Sequence, residues 1–105
     1  MAPPRGKGRL HLSEEALADV CRRYDVRRLS VFGSVLRDDF RDDSDVDVLV
    51  EFEPGARPTY FTLSRIEADL SRLAGRRADV HMAKSLHPHI RDKALTQAED
   101  LYVGA

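Results

Sequence analysis

Apolar positions along the chain follow two rhythms, and each change of rhythm marks an element. Ser13 followed by Glu14 and Glu15 predicts a helix start, with a capping hydroxyl ahead of acids suited to the first turn. Leu17, Val20, Cys21 and Tyr24 then recur at helical spacing and define a buried stripe. The run VRRLSVF, Val26–Phe32, predicts a first strand ending at Gly33, and residues 34–37 read as a short helix entered directly from it. The run DVDVLVEF, residues 45–52, predicts a second strand, closed by Glu53-Pro54-Gly55. Thr59 can cap a helix whose apolar side is Phe61, Leu63, Ile66, Leu70 and Leu73, and Gly75 stops it. Residues 77–82 predict a short third strand. Pro88 suits the first turn of a last helix, with Ile90, Ala94, Leu95, Ala98, Leu101 and Tyr102 as its buried side. Strands alternating with helices predict an α/β or α+β fold, a sheet flanked by helices.

Composition narrows the class. A chain of 105 residues supports one domain with a single modest core. Its net charge of −1 gives no global attraction to nucleic acid or anionic membrane, so any polyanion site must be local. Cys21 is the one cysteine, which excludes an internal disulfide and suits a reducing compartment; its place on the helical stripe makes it a small core residue. No apolar run approaches the roughly 20 residues of a membrane-spanning helix, and no signal-peptide pattern opens the chain. The expected location is the cytoplasm. The first ten residues, MAPPRGKGRL, combine Pro and Gly with Arg5, Lys7 and Arg9 and read as a flexible tail; residues 11–105 are the expected domain.

Charge then raises a question. Six aspartates lie between Asp38 and Asp47, and the segment runs straight into a strand. Asp38, Asp39, Asp42 and Asp43 fit a solvated loop. Asp45 and Asp47 do not, because they alternate with valines and so share one strand face. Two carboxylates roughly 7 Å apart along one strand face repel unless a cation lies between them. Hard oxygen donors in that arrangement suit Mg²⁺ or Mn²⁺. Asp79 adds a third carboxylate if the third strand lies alongside the second, and such a cluster suits phosphoryl or nucleotidyl transfer. Gly33-Ser34, after a strand and opening a helix, offers backbone N–H groups and a hydroxyl to a phosphate. A calcium loop starting at Asp43 fails, since Val48 stands where the turn needs Gly and Pro54 where it needs Glu.

Gly33-Ser34, ten intervening residues, then Asp45-Val46-Asp47 resembles the GSx₁₀DxD signature of the minimal nucleotidyltransferases, within the polymerase-β-like superfamily. Phe32, Arg37, Leu49-Val50-Glu51-Phe52 and a later strand carrying Asp79 also fall where that family has counterparts, and SLHPHIRDKALTQAEDLY is similar to its last helix. The resemblance covers about residues 12–102. It implies a small mixed sheet flanked by helices, ATP as donor and Mg²⁺ as metal, with Mn²⁺ possible. By position it places Gly33, Ser34 and Arg37 at the nucleotide, Asp45, Asp47 and Asp79 at the metal, and Asp79 at the acceptor hydroxyl. Arg37 has a second reading, holding the acidic loop.

Two departures stand out: Asp38 where glycine is usual, and His81, on the Asp79 face, where no imidazole is usual. A role for His81 in the site and a surface place at the strand end are both open. His87 and His89 flank Pro88 without a third ligand nearby, and Arg22, Arg23, Arg27 and Arg28 read as a solvated basic face.

The minimal core uses nearly the whole chain, leaving no second domain to shape a small-molecule pocket. An acceptor on a separate protein is therefore expected. The resemblance implies an antitoxin that adenylylates a tyrosine of a HEPN-domain toxin and forms a hetero-oligomer with it. Two alternatives remain, a non-catalytic nucleotide-binding antitoxin and a transferase acting on RNA 3′ ends.

Overall fold

The computed structural model describes residues 12–33 and 45–104. Helix α1 spans Glu14–Arg23. The Ser13 hydroxyl accepts the Ala16 N–H at 3.3 Å, and Arg22 and Arg23 close the last turn, where cations suit the dipole. Asp25 turns the chain with φ +58°, a conformation Asp tolerates better than most residues, and strand β1, Val26–Phe32, follows. Strand β2, Val46–Phe52, runs antiparallel to β1. Helix α2, Tyr60–Ala74, opens on a reciprocal cap between Thr59 and Thr62 and stops at Gly75 with φ +68°. Strand β3, Ala78–Met82, returns parallel to β2, so β2, α2 and β3 form a crossover unit.

A short 3₁₀ turn, Ala83–Ser85, leads to helix α3, Pro88–Gln97. His87 caps it, its Nδ1 accepting the His89 N–H at 3.3 Å, so this histidine has a structural task. Strand β4, Glu99–Val103, then pairs antiparallel with β1. The sheet order is β3-β2-β1-β4, a mixed four-stranded sheet.

The two faces of the sheet differ. On one, Leu29, Val31, Val46, Val48, Val50, Ala78 and Val80 pack with Leu17 and Cys21 of α1 and Ile66 and Leu70 of α2. Asp69 is buried at the rim of this core and accepts from the Tyr24 hydroxyl (2.9 Å) and from Arg72 (2.8 Å), tying α1 to α2. The opposite face has a smaller cluster of Phe32, Leu49 and Ala94 beneath α3. That thin cover leaves the β2 and β3 positions beyond it accessible.

Several expectations change. The last helix does not reach Tyr102: it ends at Gln97, and residues 99–103 form the fourth strand. Ala94, Ala98 and Leu101 fit a helical stripe locally, but β1 has a free edge that only a strand can pair. Of the apolar side expected for that helix, Ala94 is buried, whereas Ile90 and Leu95 are 54% and 55% exposed. Phe61, placed on the buried side of α2, is 79% exposed because it falls in the first turn, outside the packed stretch. The short helix expected at residues 34–37, and the acidic loop with Asp38, Asp39, Asp42 and Asp43, lie outside the described residues. Among the described residues no helix is long and apolar enough to cross a membrane.

Candidate active site

The parallel pairing of β2 with β3 sets Asp47 directly opposite Asp79. Neighbouring strands lie about 4.8 Å apart, so the two carboxylates rise side by side from one face. Helix α2 fixes β3 from its outer edge: Ser71 Oγ accepts the Ala78 N–H at 3.0 Å and Glu67 accepts the Val80 N–H at 3.1 Å. Asp79 lies between these two anchored residues. On the other side of β2, Phe32 is the register partner of Asp47, and Gly33 follows it.

Gly33 is where backbone and carboxylate meet. Its φ is +73°, and a Cβ built there would lie 2.7 Å from Asp47 Oδ2. No other residue type leaves room for that carboxylate without displacement. Asp45 stands just ahead of β2, exposed, two residues before the half-buried Asp47. Ser34 and Arg37 lie outside the described residues.

Sequence reasoning placed His81 on the Asp79 face with its role open, and did not single out Arg77. His81 Nε2 lies 3.7 Å from Asp47 Oδ1, and its ring meets Phe32 edge-on, with centroids 5.7 Å apart. The Asp47 carboxylate raises the imidazole pKa above its usual value, with partial burial opposing. Arg77, not singled out from the sequence, places Nε 3.3 Å from Asp79 Oδ1. Its signal was the i, i+2 spacing to Asp79, which puts opposite charges on one strand face. Arg23 pairs with Asp19 and Asp69, and Arg28 with Asp100, so half of the basic cluster is neutralised within the protein.

The donors suit a hard cation. Among the described residues, no three His, Cys, Asp or Glu side chains are grouped so that they could hold a metal ion by themselves. Mg²⁺ asks for less, since it commonly binds through one or two carboxylates and completes its shell with water and substrate phosphates. Asp47 and Asp79, in register on adjacent strands, could serve as such a pair, and the missing Cβ of Gly33 leaves room for the Asp47 carboxylate. Farther along the same face, past Leu49, a half-open cleft of about 500 Å³ is lined in part by Ser30, Leu49, Glu51, Lys84, Leu95 and Asp100. Room for a guest exists despite the small chain, although none of the three site aspartates lines this cleft.

Comparison with known proteins agrees with this architecture. A protein adenylyltransferase, MntA, of Thermococcus cleftensis is 39% identical over 75 residues, covering 71% of this chain and 74% of its own. A solved "putative minimal nucleotidyltransferase" matches with a TM-score of 0.67 and 38% identity, over 82% of this chain and 86% of that one. A crystal structure of a toxin–antitoxin with AMP-PNP also gives a TM-score of 0.67, over 88% of this chain and 74% of that one; at 18% identity it speaks for the fold alone. The sequence model of the nucleotidyltransferase domain matches residues 13–101. With that match spanning most of the sheet, both site strands and the Gly33–Asp47 contact, the chain belongs to the nucleotidyltransferase domain family.

Proposed function

We propose that this protein is an antitoxin that transfers AMP from ATP to a hydroxyl, a tyrosine, of a HEPN-domain toxin with which it forms a hetero-oligomer in the cytoplasm. The observation that carries the reading is the in-register pair Asp47 and Asp79, with Gly33 pressed against Asp47. The likeness to an adenylyltransferase supports the chemistry, and the shared fold with the antitoxin of a toxin–antitoxin structure is what suggests the partner. Asp45, Asp47 and Asp79 would hold Mg²⁺ or Mn²⁺, which when bound neutralises charge on the triphosphate. Gly33, Ser34 and Arg37 take the donor's phosphates. Asp79 accepts the proton of the acceptor hydroxyl, whose oxygen bonds to the α-phosphorus as the bond to the leaving pyrophosphate breaks. The modified toxin then carries a bulky anion where it would otherwise meet RNA.

Labelled ATP tests this. With Mg²⁺ and the toxin partner, the α-labelled nucleotide should mark the toxin, while the γ-label leaves as pyrophosphate. Asp47→Asn and Asp79→Asn should each lose at least about 10²-fold in rate with melting temperatures held within a few degrees. Full activity in either variant refutes the assignment. One observation favours a second reading: Arg77 occupies Asp79, as it would in a module that blocks its partner by contact alone. That reading predicts toxin neutralisation without any transferred label.

A further inference from the structure

Resting on the proposed transfer of AMP to a protein hydroxyl, we infer that the cleft past Leu49 docks the acceptor's own chain. Its occupant is an extended segment, apolar and basic, whose side chain about two to four residues from the target hydroxyl fills the cleft. The sheet places the cleft for that task. Asp47, Leu49 and Glu51 alternate onto one face of β2, and their partners across the β1 register are Phe32, Ser30 and Arg28. Ser30, Leu49, Glu51 and Arg28 all line the cleft. It therefore begins roughly 7 Å along β2 from Asp47 and reaches roughly 13 Å, a distance that an extended peptide covers in about two to four residues.

Direction decides which substrate the cleft takes. In AMP transfer the attacking oxygen and the leaving pyrophosphate lie roughly in line, on opposite sides of the α-phosphorus. Gly33, proposed to take the donor's phosphates, continues β1 past the Phe32–Asp47 step, whereas Leu49 and Glu51 lie on the other side of that step. With the pyrophosphate at Gly33, the acceptor approaches from the cleft. Charge agrees with direction. Among the described lining residues Glu51, Glu53 and Asp100 outnumber Arg28 and Lys84, and Arg28 is already forked onto Asp100 at 2.9 and 2.8 Å. That acidic excess disfavours a triphosphate or an RNA end and favours Lys or Arg. Leu49, Met82 and Leu95 supply apolar lining beside it, and Leu95 is 55% exposed in the chain alone.

Crosslinking from the cleft tests this in the assembled complex with the toxin partner. Cys21 is buried, its thiol pushed up to about 12, so a thiol introduced by Leu95→Cys is the reactive one in this chain. A benzophenone maleimide attached there before assembly should, on illumination, mark a toxin peptide within about six residues of the AMP-bearing one. The same probe on Ala68→Cys, exposed on α2 over the opposite sheet face, should not. Kinetics give a second reading. Leu95→Asp and Glu51→Lys, both at exposed positions, should raise the KM for the toxin by at least about tenfold and hold the KM for ATP within about twofold. If one variant fails to fold, the other decides. A crosslink that is absent or maps to a distant toxin segment, or a rise confined to the KM for ATP, overturns this inference while AMP transfer stands. Wild type that puts no α-label on the toxin overturns the proposed function itself.

Discussion

Replacing Gly33 with alanine separates backbone strain from damage to the site. At φ +73° an L-residue costs about 1–2 kcal/mol, which in a domain of this size lowers the melting temperature by roughly 4–8 °C per kcal/mol. The second effect is local. The new Cβ would lie 2.7 Å from Asp47 Oδ2, so the carboxylate must retreat by about 0.7 Å to reach the 3.4 Å at which ordinary contact begins. A displacement of that size at a reacting centre should cost roughly 30- to 100-fold in rate. Gly75→Ala is the control, with φ +68° and nothing within 4 Å of the added Cβ. Both variants should melt lower by similar amounts, followed by circular dichroism. Only Gly33→Ala should lose AMP transfer, measured with α-labelled ATP well below both melting points. If Gly33→Ala keeps a rate within a few-fold of Gly75→Ala, the crowding at Asp47 does not govern the chemistry and the reasoning fails.

Three further outcomes follow from the fold. Asp69→Ala strands the half-buried Tyr24 hydroxyl, while the exposed Arg72 guanidinium turns to water, and should cost about 1–2 kcal/mol in urea unfolding; a loss below about 0.5 kcal/mol would contradict the tie between α1 and α2. Asp100→Asn breaks the forked bonds from Arg28 and weakens the Ser30 contact that secure β4, at about 1 kcal/mol because the pair is half-exposed. Arg28 lowers the Asp100 pKa below 3.8 in the folded protein, so this stabilisation is present above that value and is lost as pH falls through the folded one. The gap between wild type and variant should therefore narrow as the pH falls below 3.8, and a gap that stays constant down to acid unfolding would refute the link. Burial pushes the Cys21 thiol up to about 12, so a thiol reagent at pH 8 should modify it only on unfolding; rapid labelling of native protein would show that α1 opens.

Particular residues show what the sequence made legible. Strand β1 is bounded as its apolar run and Gly33 indicate, and the caps at Ser13, Thr59 and Gly75 act where their chemistry places them. Local rules worked there because a single chain segment decides the outcome. The last element was different. Residues 94–102 carry a helical spacing that is sound locally, yet Leu101 is buried in a strand because an unpaired β1 edge, 70 residues away, needs a partner. The site divides the same way. Asp45 and Asp47 declare themselves by alternation with valine, whereas the alignment of Asp79 beside Asp47 depends on parallel register, which no local pattern encodes. Arg77 and His81 acquire meaning only once that register is known.

A crystal structure of the protein with Mn²⁺ and a non-hydrolysable ATP analogue addresses the shared-ion claim most directly. The account predicts an anomalous peak within about 2.2 Å of carboxylate oxygens from both Asp47 and Asp79, with Asp79 released from Arg77. A peak bound elsewhere, with the Arg77–Asp79 pair intact, would contradict it.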